Sequence, residues 1–282
     1  MITETRGRCV AAVLAAALIW SSSFAVTKVA LAEIPPMTLG ALRFVLAALV
    51  LGIAARRSPQ PSARQRLSIG GAGLLGITAY FALENAGVDL ATASDATLIV
   101  AAYPIITLVL SGRAAFSPVR LVGMLVALAG VWLVVREHSG GGHRLWGDVL
   151  LVAGGVAWAA YNLVVRRDRS GASPIVVTYY QTLAGAGGFV LLSLTETGRW
   201  SVPTGGTLLR IGFLAVFCSV AAFLLYNHGL RGLEPSVAVN LLNVVPVAGL
   251  GWAVVLAGES LALSQLLGGA VVLAGVFLGS RK

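Results

Sequence analysis

The chain has 282 residues, of which 57% are hydrophobic and 11% charged, with a mean hydropathy of +0.89 and a formal net charge of +9. Soluble domains carry roughly 45–50% apolar and about 25% charged residues, so this composition excludes a soluble fold and predicts an all-α membrane protein. The positive charge does not point to nucleic acid, because the basic residues flank apolar stretches in the manner of the positive-inside rule.

Ten stretches are apolar and long enough to cross about 30 Å of hydrocarbon. The first, residues 9–31, follows Arg6 and Arg8 and exceeds the 7–15-residue core of a signal peptide, so it is read as a span. It carries Trp20, about 18 Å from Arg8, and Lys28, about 30 Å from it, where snorkelling to the interface is expected. The second, 37–55, contains Arg43, about 20 Å from Arg56 and the costliest residue in the chain. Arg43 either meets a substrate carboxylate or clamps helix-end carbonyls, and the clamp is the favoured reading. A polar linker with Ser58, Pro59, Pro61 and Ser62 leads to the third span, 67–88, which holds Tyr80 and Glu84. Glu84 lies about 27 Å from Arg66, near the rim, and is a proton site only if the bundle buries it.

The fourth span, 93–111, opens with Thr92-Ala-Ser-Asp95, spaced as a capping box, and Asp95 is read as a cap. It also carries Tyr103 and Pro104. The fifth, 119–135, leads into a Gly-rich connection, 137–145, where Glu137, His138 and His143, with Asp148 just beyond, are read as a solvated loop and not a metal site. The sixth, 146–165, carries Trp158 and Tyr161, and the seventh, 174–194, carries Gln181. The eighth is 207–230; the ninth, 235–257, places Asn240 and Asn243 on one face about a turn before Pro246; the tenth is 262–280. Cys9 and Cys218 are read as packing residues.

The chain repeats itself. A gapless shift of 142 positions matches Asn85 to Asn227, Gly87 to Gly229, Ser94 to Ser236, Ala96 to Ala238 and Pro104 to Pro246. Trp20 aligns with Trp158, and "GMLVALAGVW" at 123–132 shares six of ten positions with "GGAVVLAGVF" at 268–277. Five spans per half is an odd number, so the second half enters the membrane from the opposite side. The expectation is ten transmembrane helices in two inverted five-helix repeats, 1–136 and 146–282, joined by an outer loop at 137–145. With both termini cytoplasmic, 14 Lys and Arg lie on the inner side and 4 on the outer, with Lys28 and Arg43 inside spans. Inverted repeats supply two equivalent packings whose exchange opens a central site to either side in turn.

The mid-span Trp20 followed by "FAVTK", the "ALRFVLAALVL" of the second span, Pro in the fourth and ninth, and then "GES" and "GGAVVLAGV", resemble the drug/metabolite transporter superfamily, specifically its EamA-type bacterial exporters. The resemblance runs along essentially the whole chain. It departs in the first half, which has Gly112-Arg113 where the second has Gly258-Glu259, so Arg113 is not given the role of Glu259. The resemblance implies a bacterial inner-membrane exporter of amino acids or amphipathic compounds.

The candidate substrate-binding residues are Trp20, Tyr80, Tyr103, Trp158, Tyr161, Gln181, Asn240 and Asn243. Arg43, Lys28 and Glu84 are candidate substrate or structural charges, and Pro104 and Pro246 candidate hinges. No Gly-x-x-x-x-Gly-Lys-Ser/Thr stretch occurs, so a secondary transporter is expected, with no cofactor. Its partners are a small-molecule substrate and the lipid bilayer, not nucleic acid; the oligomeric state is not legible, and a monomer is compatible. Few mid-depth charges favour small neutral or zwitterionic solutes, and the resemblance implies bulky or aromatic amino acids above all, moved outward by alternating access. An exporter of amphipathic drugs or other metabolites is the alternative, and a membrane-embedded enzyme or a channel the distant one. The chain is not expected to be an enzyme.

Overall fold

The computed structural model describes residues 2–110, 118–135, 142–165, 170–230, 233, 241–242 and 244–279. These are helical wherever they form secondary structure. Six helices are long and apolar enough to cross a membrane: Gly7–Leu31, Pro36–Ala55, Ala63–Leu90, Gly142–Val165, Pro174–Arg199 and Gly205–Tyr226. Shorter apolar helices accompany them at Leu121–Val134, Val244–Ala257 and Leu263–Leu278. The protein is therefore a multi-pass membrane protein.

We number the helices α1 (Ile2–Leu31), α2 (Pro36–Ala55), α3 (Ala63–Gly73), α4 (Tyr80–Leu90), α5 (Ala93–Ala101), α6 (Tyr103–Leu110), α7 (Pro118–Val135), α8 (Gly142–Val165) and α9 (Pro174–Ser193). They continue as α10 (Gly205–Phe213), α11 (Ala222–Leu230), α12 (Val244–Ala257) and α13 (Leu263–Gly279). Local chemistry sets many of their starts. Pro36 and Pro174 occupy first helical positions, where the missing N–H costs nothing, and Ser62 with Gln65 forms a reciprocal capping box at the head of α3.

Two spans contain a π-helical turn. Leu74–Ala79 joins α3 to α4, and Leu214–Ala221 joins α10 to α11. The wider turn needs room, and small residues supply it. A Cβ on Gly76 would run into the Tyr161 ring, one on Gly185 would lie 2.5 Å from Ile77, and the Thr78 hydroxyl donates to the Gly185 carbonyl. The glycines of α9 thus let its backbone seat against the first π turn.

α7 packs along α13, α2 along α9, α1 on both α11 and α12, and α8 on both α4 and α6. The first of these contacts rests on glycines: a Cβ on Gly130 would come within 2.6 Å of the Val272 amide nitrogen, and one on Gly275 would strike the Ala127 backbone. The span carrying Pro104 is interrupted at Ala102, between α5 and α6. Pro246, which is buried, lies in the first turn of α12, just after a turn at Leu242.

Several expectations need correction. Asp148 is not in a solvated loop; it sits in α8, which begins at Gly142, and is buried. Thr92 caps α5 by accepting from the Asp95 amide, but the Asp95 carboxylate does not complete a box. It is taken by Arg144, whose Nε and Nη2 donate to it at 2.8 and 2.9 Å, and by Gln265 at 2.8 Å. A charged bidentate partner outcompetes a neutral local amide. Lys28 does not snorkel: its ammonium donates to the carbonyls of Val88, Asp89 and Ala91 at 2.7–2.8 Å, where a cation meets the negative end of the α4 dipole.

Candidate functional site

The buried polar chemistry divides into two regions. One is a set of ties at the end of the molecule where α1 finishes and α2 begins, and the other is an aromatic string deeper in the bundle.

The ties are carboxylates placed at helix starts. Glu259 accepts from the amides of Ala93 and Ser94 and from the Ser94 hydroxyl at 2.6–2.9 Å, at the head of α5. Glu196 does the same for Met37 and Thr38 at the head of α2, and Glu33 for Thr204 ahead of α10. Each fills the orphan donors of a helix N-terminus with the charge its dipole prefers. Gly258, at φ 67°, adopts a left-handed conformation that turns the chain out of α12 and carries Glu259 back to α5. Glu33 lies outside the spans; the Thr204 backbone N–H, then the Thr207 hydroxyl, with smaller help from the Thr204 hydroxyl and Arg210, hold its carboxyl below the usual range against desolvation.

The aromatic string is built from five of the predicted residues. Tyr80 meets Tyr103 edge-on with ring centroids 6.1 Å apart and Trp158 at 5.0 Å; Trp158 meets Tyr161 at 5.3 Å; and the Tyr161 hydroxyl donates to Gln181 Oε1 at 3.0 Å. Tyr103 is anchored by donating to the Leu151 carbonyl at 2.7 Å. Tyr80 and Tyr103 are buried, whereas Trp158 and Tyr161 keep part of their surface open.

Trp20 stands apart from this string, against Phe223 and Tyr226 at 5.2 and 5.4 Å. Its indole N–H donates to the Cys218 carbonyl at 3.0 Å, inside the second π turn. Such a turn leaves carbonyls free for outside donors. The next residue, Ser219, receives Arg43 Nε at 2.9 Å and passes its own proton to the Leu214 carbonyl. Arg43 is therefore neither solvated nor capping a helix end. Its guanidinium lies 4.7 Å from the Phe81 ring centre and 5.0 Å from that of Phe44, and it feels the charge of Glu84. Glu84 is buried, 3% exposed, with the Tyr80 hydroxyl and Arg43 as its electrostatic neighbours. A continuous path of contacts thus runs from Trp20 through Cys218 and Ser219 to Arg43, Phe81, Tyr80, Trp158, Tyr161 and Gln181.

Asn240 and Asn243 lie outside the described residues, and of Pro104 only its place in α6 is described. A groove of about 620 Å³ runs along α2 and α9 between Val45, Gly52, Arg56, Gln60, Tyr179 and Tyr180. None of the predicted residues lines it, so it is not the candidate site. Sequence reasoning met Glu259 only as part of a family motif, without its partners, and missed Glu196, Glu33, Ser219 and Trp252, whose indole donates to Ser21 Oγ at 3.1 Å. A Gly-Glu pair directly after an apolar span was the one available signal, for Glu259.

Among curated proteins, the chain is 26% identical to the uncharacterized inner membrane transporter YedA of Escherichia coli K12, over 95% of this chain and 89% of that protein. It is 27% identical to a probable amino-acid metabolite efflux pump of Salmonella typhimurium, over 93% and 91%. It is 25% identical to an uncharacterized transporter of Archaeoglobus fulgidus over 94% of both chains. A protein known by its crystal structure shares the fold, with a TM-score of 0.67 at 22% identity, over 96% of this chain and 95% of that one. The model of the EamA-like transporter family matches residues 7–136 and again 145–281, and the chain belongs to that family.

Proposed function

We propose that the protein is a secondary transporter that exports small neutral or zwitterionic metabolites, chiefly bulky or aromatic amino acids, by alternating access between two inverted five-helix repeats. The observation that carries this reading is the aromatic string from Tyr80 through Trp158 to Tyr161 and Gln181, in which side chains from both halves of the chain form one wall. Flat faces and an amide suit a solute with an apolar side chain and polar backbone groups.

Three further observations support it. The helix pairings are those that an exchange of halves would leave unchanged: α2 with α9 and α7 with α13 map onto themselves, while α1 with α11 and α12 is mirrored by α8 with α4 and α6. The family model matches each half separately. A relative carries the name of an amino-acid metabolite efflux pump. In the proposed orientation both termini are cytoplasmic, the membrane is the bacterial inner membrane, and the carboxylate ties close the outer end.

The test is counterflow of radiolabelled solutes by purified protein in sealed vesicles, across amino acids and sugar phosphates. L-phenylalanine should exchange, and Trp158→Ala should slow it about tenfold while changing L-alanine exchange much less. If a sugar phosphate outcompetes every amino acid, or the variant slows both solutes equally, the assignment is wrong.

A further inference from the structure

We propose that Glu84 is the coupling-proton site of this transporter: its carboxyl carries one proton inward for each solute exported. The inference rests on the transporter reading above and names the ion that drives it.

The carboxylates drawn in among the helices are not alike, and Asp148, also buried, lies beside Arg144 and Asp95. Glu259, Glu196 and Asp95 each accept from two or more donors, helix-start amides or the Arg144 and Gln265 side chains. Those donors occupy the carboxylate oxygens and fix their place. Glu84 sits in the middle of α4, where backbone amides are spent on the helix itself, and among the described residues no helix-start amide donates to it. Its neighbours are a phenol and a guanidinium already engaged elsewhere, with Arg43 Nε given to Ser219 Oγ and the cation lying over the Phe44 and Phe81 rings. A carboxyl at such depth is costly when charged and cheap when neutral, and a nearby cation offsets part of that cost.

The groups that face it are Tyr80 on its own helix, Arg43 on α2, Tyr103 on α6 and Cys218 in the second π turn. The ionisable groups of α1 and α8 that lie near α4 look elsewhere, Lys28 to Asp89 and Asp148 to Asp95 and Arg144. Glu84 thus stands between the two things a coupling ion must influence. Tyr80, one turn before it in α4, meets the aromatic wall at Trp158, and Arg43, which lies over the Phe81 ring of the same turn, donates to Ser219 in the second π turn.

The cycle balances. The neutral acid, loaded from water on the outer side, turns inward and releases its proton to cytoplasmic water as the solute enters; the carboxylate, held by Arg43, returns outward and is reprotonated as the solute leaves. No bond other than O–H is made or broken.

Two measurements test it. The first needs no solute: infrared spectra of wild-type protein and Glu84→Gln in lipid nanodiscs, from about pH 5 to about pH 9. Wild type should show a protonated-carboxyl band that vanishes as pH rises, absent from Glu84→Gln and displaced in Glu84→Asp. The second uses L-phenylalanine in vesicles: wild type should accumulate it on a pH gradient, and Glu84→Gln, fixed in the neutral form that the cycle leaves without solute, should lose that accumulation at least tenfold. The proposal is overturned if wild type and Glu84→Gln titrate identically, or if Glu84→Gln accumulates solute on a pH gradient as wild type does. Should Glu84→Gln fail to fold, Glu84→Asp and the wild-type titration decide: no titrating band, or one Glu84→Asp leaves in place, overturns it. Loss of phenylalanine exchange in wild type with the Glu84 band still titrating would defeat the amino-acid assignment and leave the proton site standing.

Discussion

At the scale of single residues, Glu33, Glu196 and Glu259 meet helix starts, and Lys28 meets a helix end. Lys28 supplies three hydrogen bonds to the last carbonyls of α4, and Glu33 accepts two from Thr204. Because hydrogen bonding holds the Glu33 carboxyl below its ordinary value, its stabilising effect is present above the unfolded-state carboxylate pKa, near about 4.3, and is lost as pH falls through the folded value. Thermal unfolding in detergent should therefore show a decline in midpoint on acidification below that range, and Glu33→Gln should remove part of this decline while lowering the midpoint at neutral pH. A variant whose acid limb matches wild type would show that the contact does not bear on stability.

At the scale of elements, close helix contacts depend on glycines that expose backbone. Gly130→Ala would set a methyl group 2.6 Å from the Val272 nitrogen, which cannot move without displacing α13, whereas a methyl on Gly251 in α12 meets nothing within 4 Å. Overpacking of this kind costs about 1–3 kcal/mol, so Gly130→Ala should lower the unfolding midpoint by several degrees and Gly251→Ala should leave it near wild type. Equal midpoints would show that α7 and α13 are held by something other than backbone proximity.

These contacts also mark how far sequence reasoning reaches. The apolar runs are local and periodic, so helix positions were legible, and the repeated "GMLVALAGVW" and "GGAVVLAGVF" segments proved to be the ones that pack together in α7 and α13. The π turns were not, because a one-residue widening leaves no compositional trace in "LLGITA" or "LAVFCSVA". Nor were the caps, since Glu259 and Ser94 lie 165 residues apart and only the fold brings them together. Depth alone likewise misplaced Lys28: an estimate of height along a helix cannot say whether the neighbour is water or another helix's end.

At the scale of the whole molecule, ties across the two halves gather at one end. Glu259, Arg144 and Gln265 hold Ser94 and Asp95, and Glu196 and Glu33 tie α2 to the segment after α9 and the first loop to α10. In the proposed cycle these are the contacts that part when the transporter opens outward, while the aromatic string stays as the shared wall. Ser94, 1% exposed beneath Glu259, is a reporter of that event. The most direct test is the rate at which a cysteine at this position, Ser94→Cys, reacts with an impermeant thiol reagent added outside sealed vesicles. The account predicts slow labelling without solute and several-fold faster labelling when L-phenylalanine is present; rapid labelling from the start, or a rate that L-phenylalanine leaves unchanged, would contradict it.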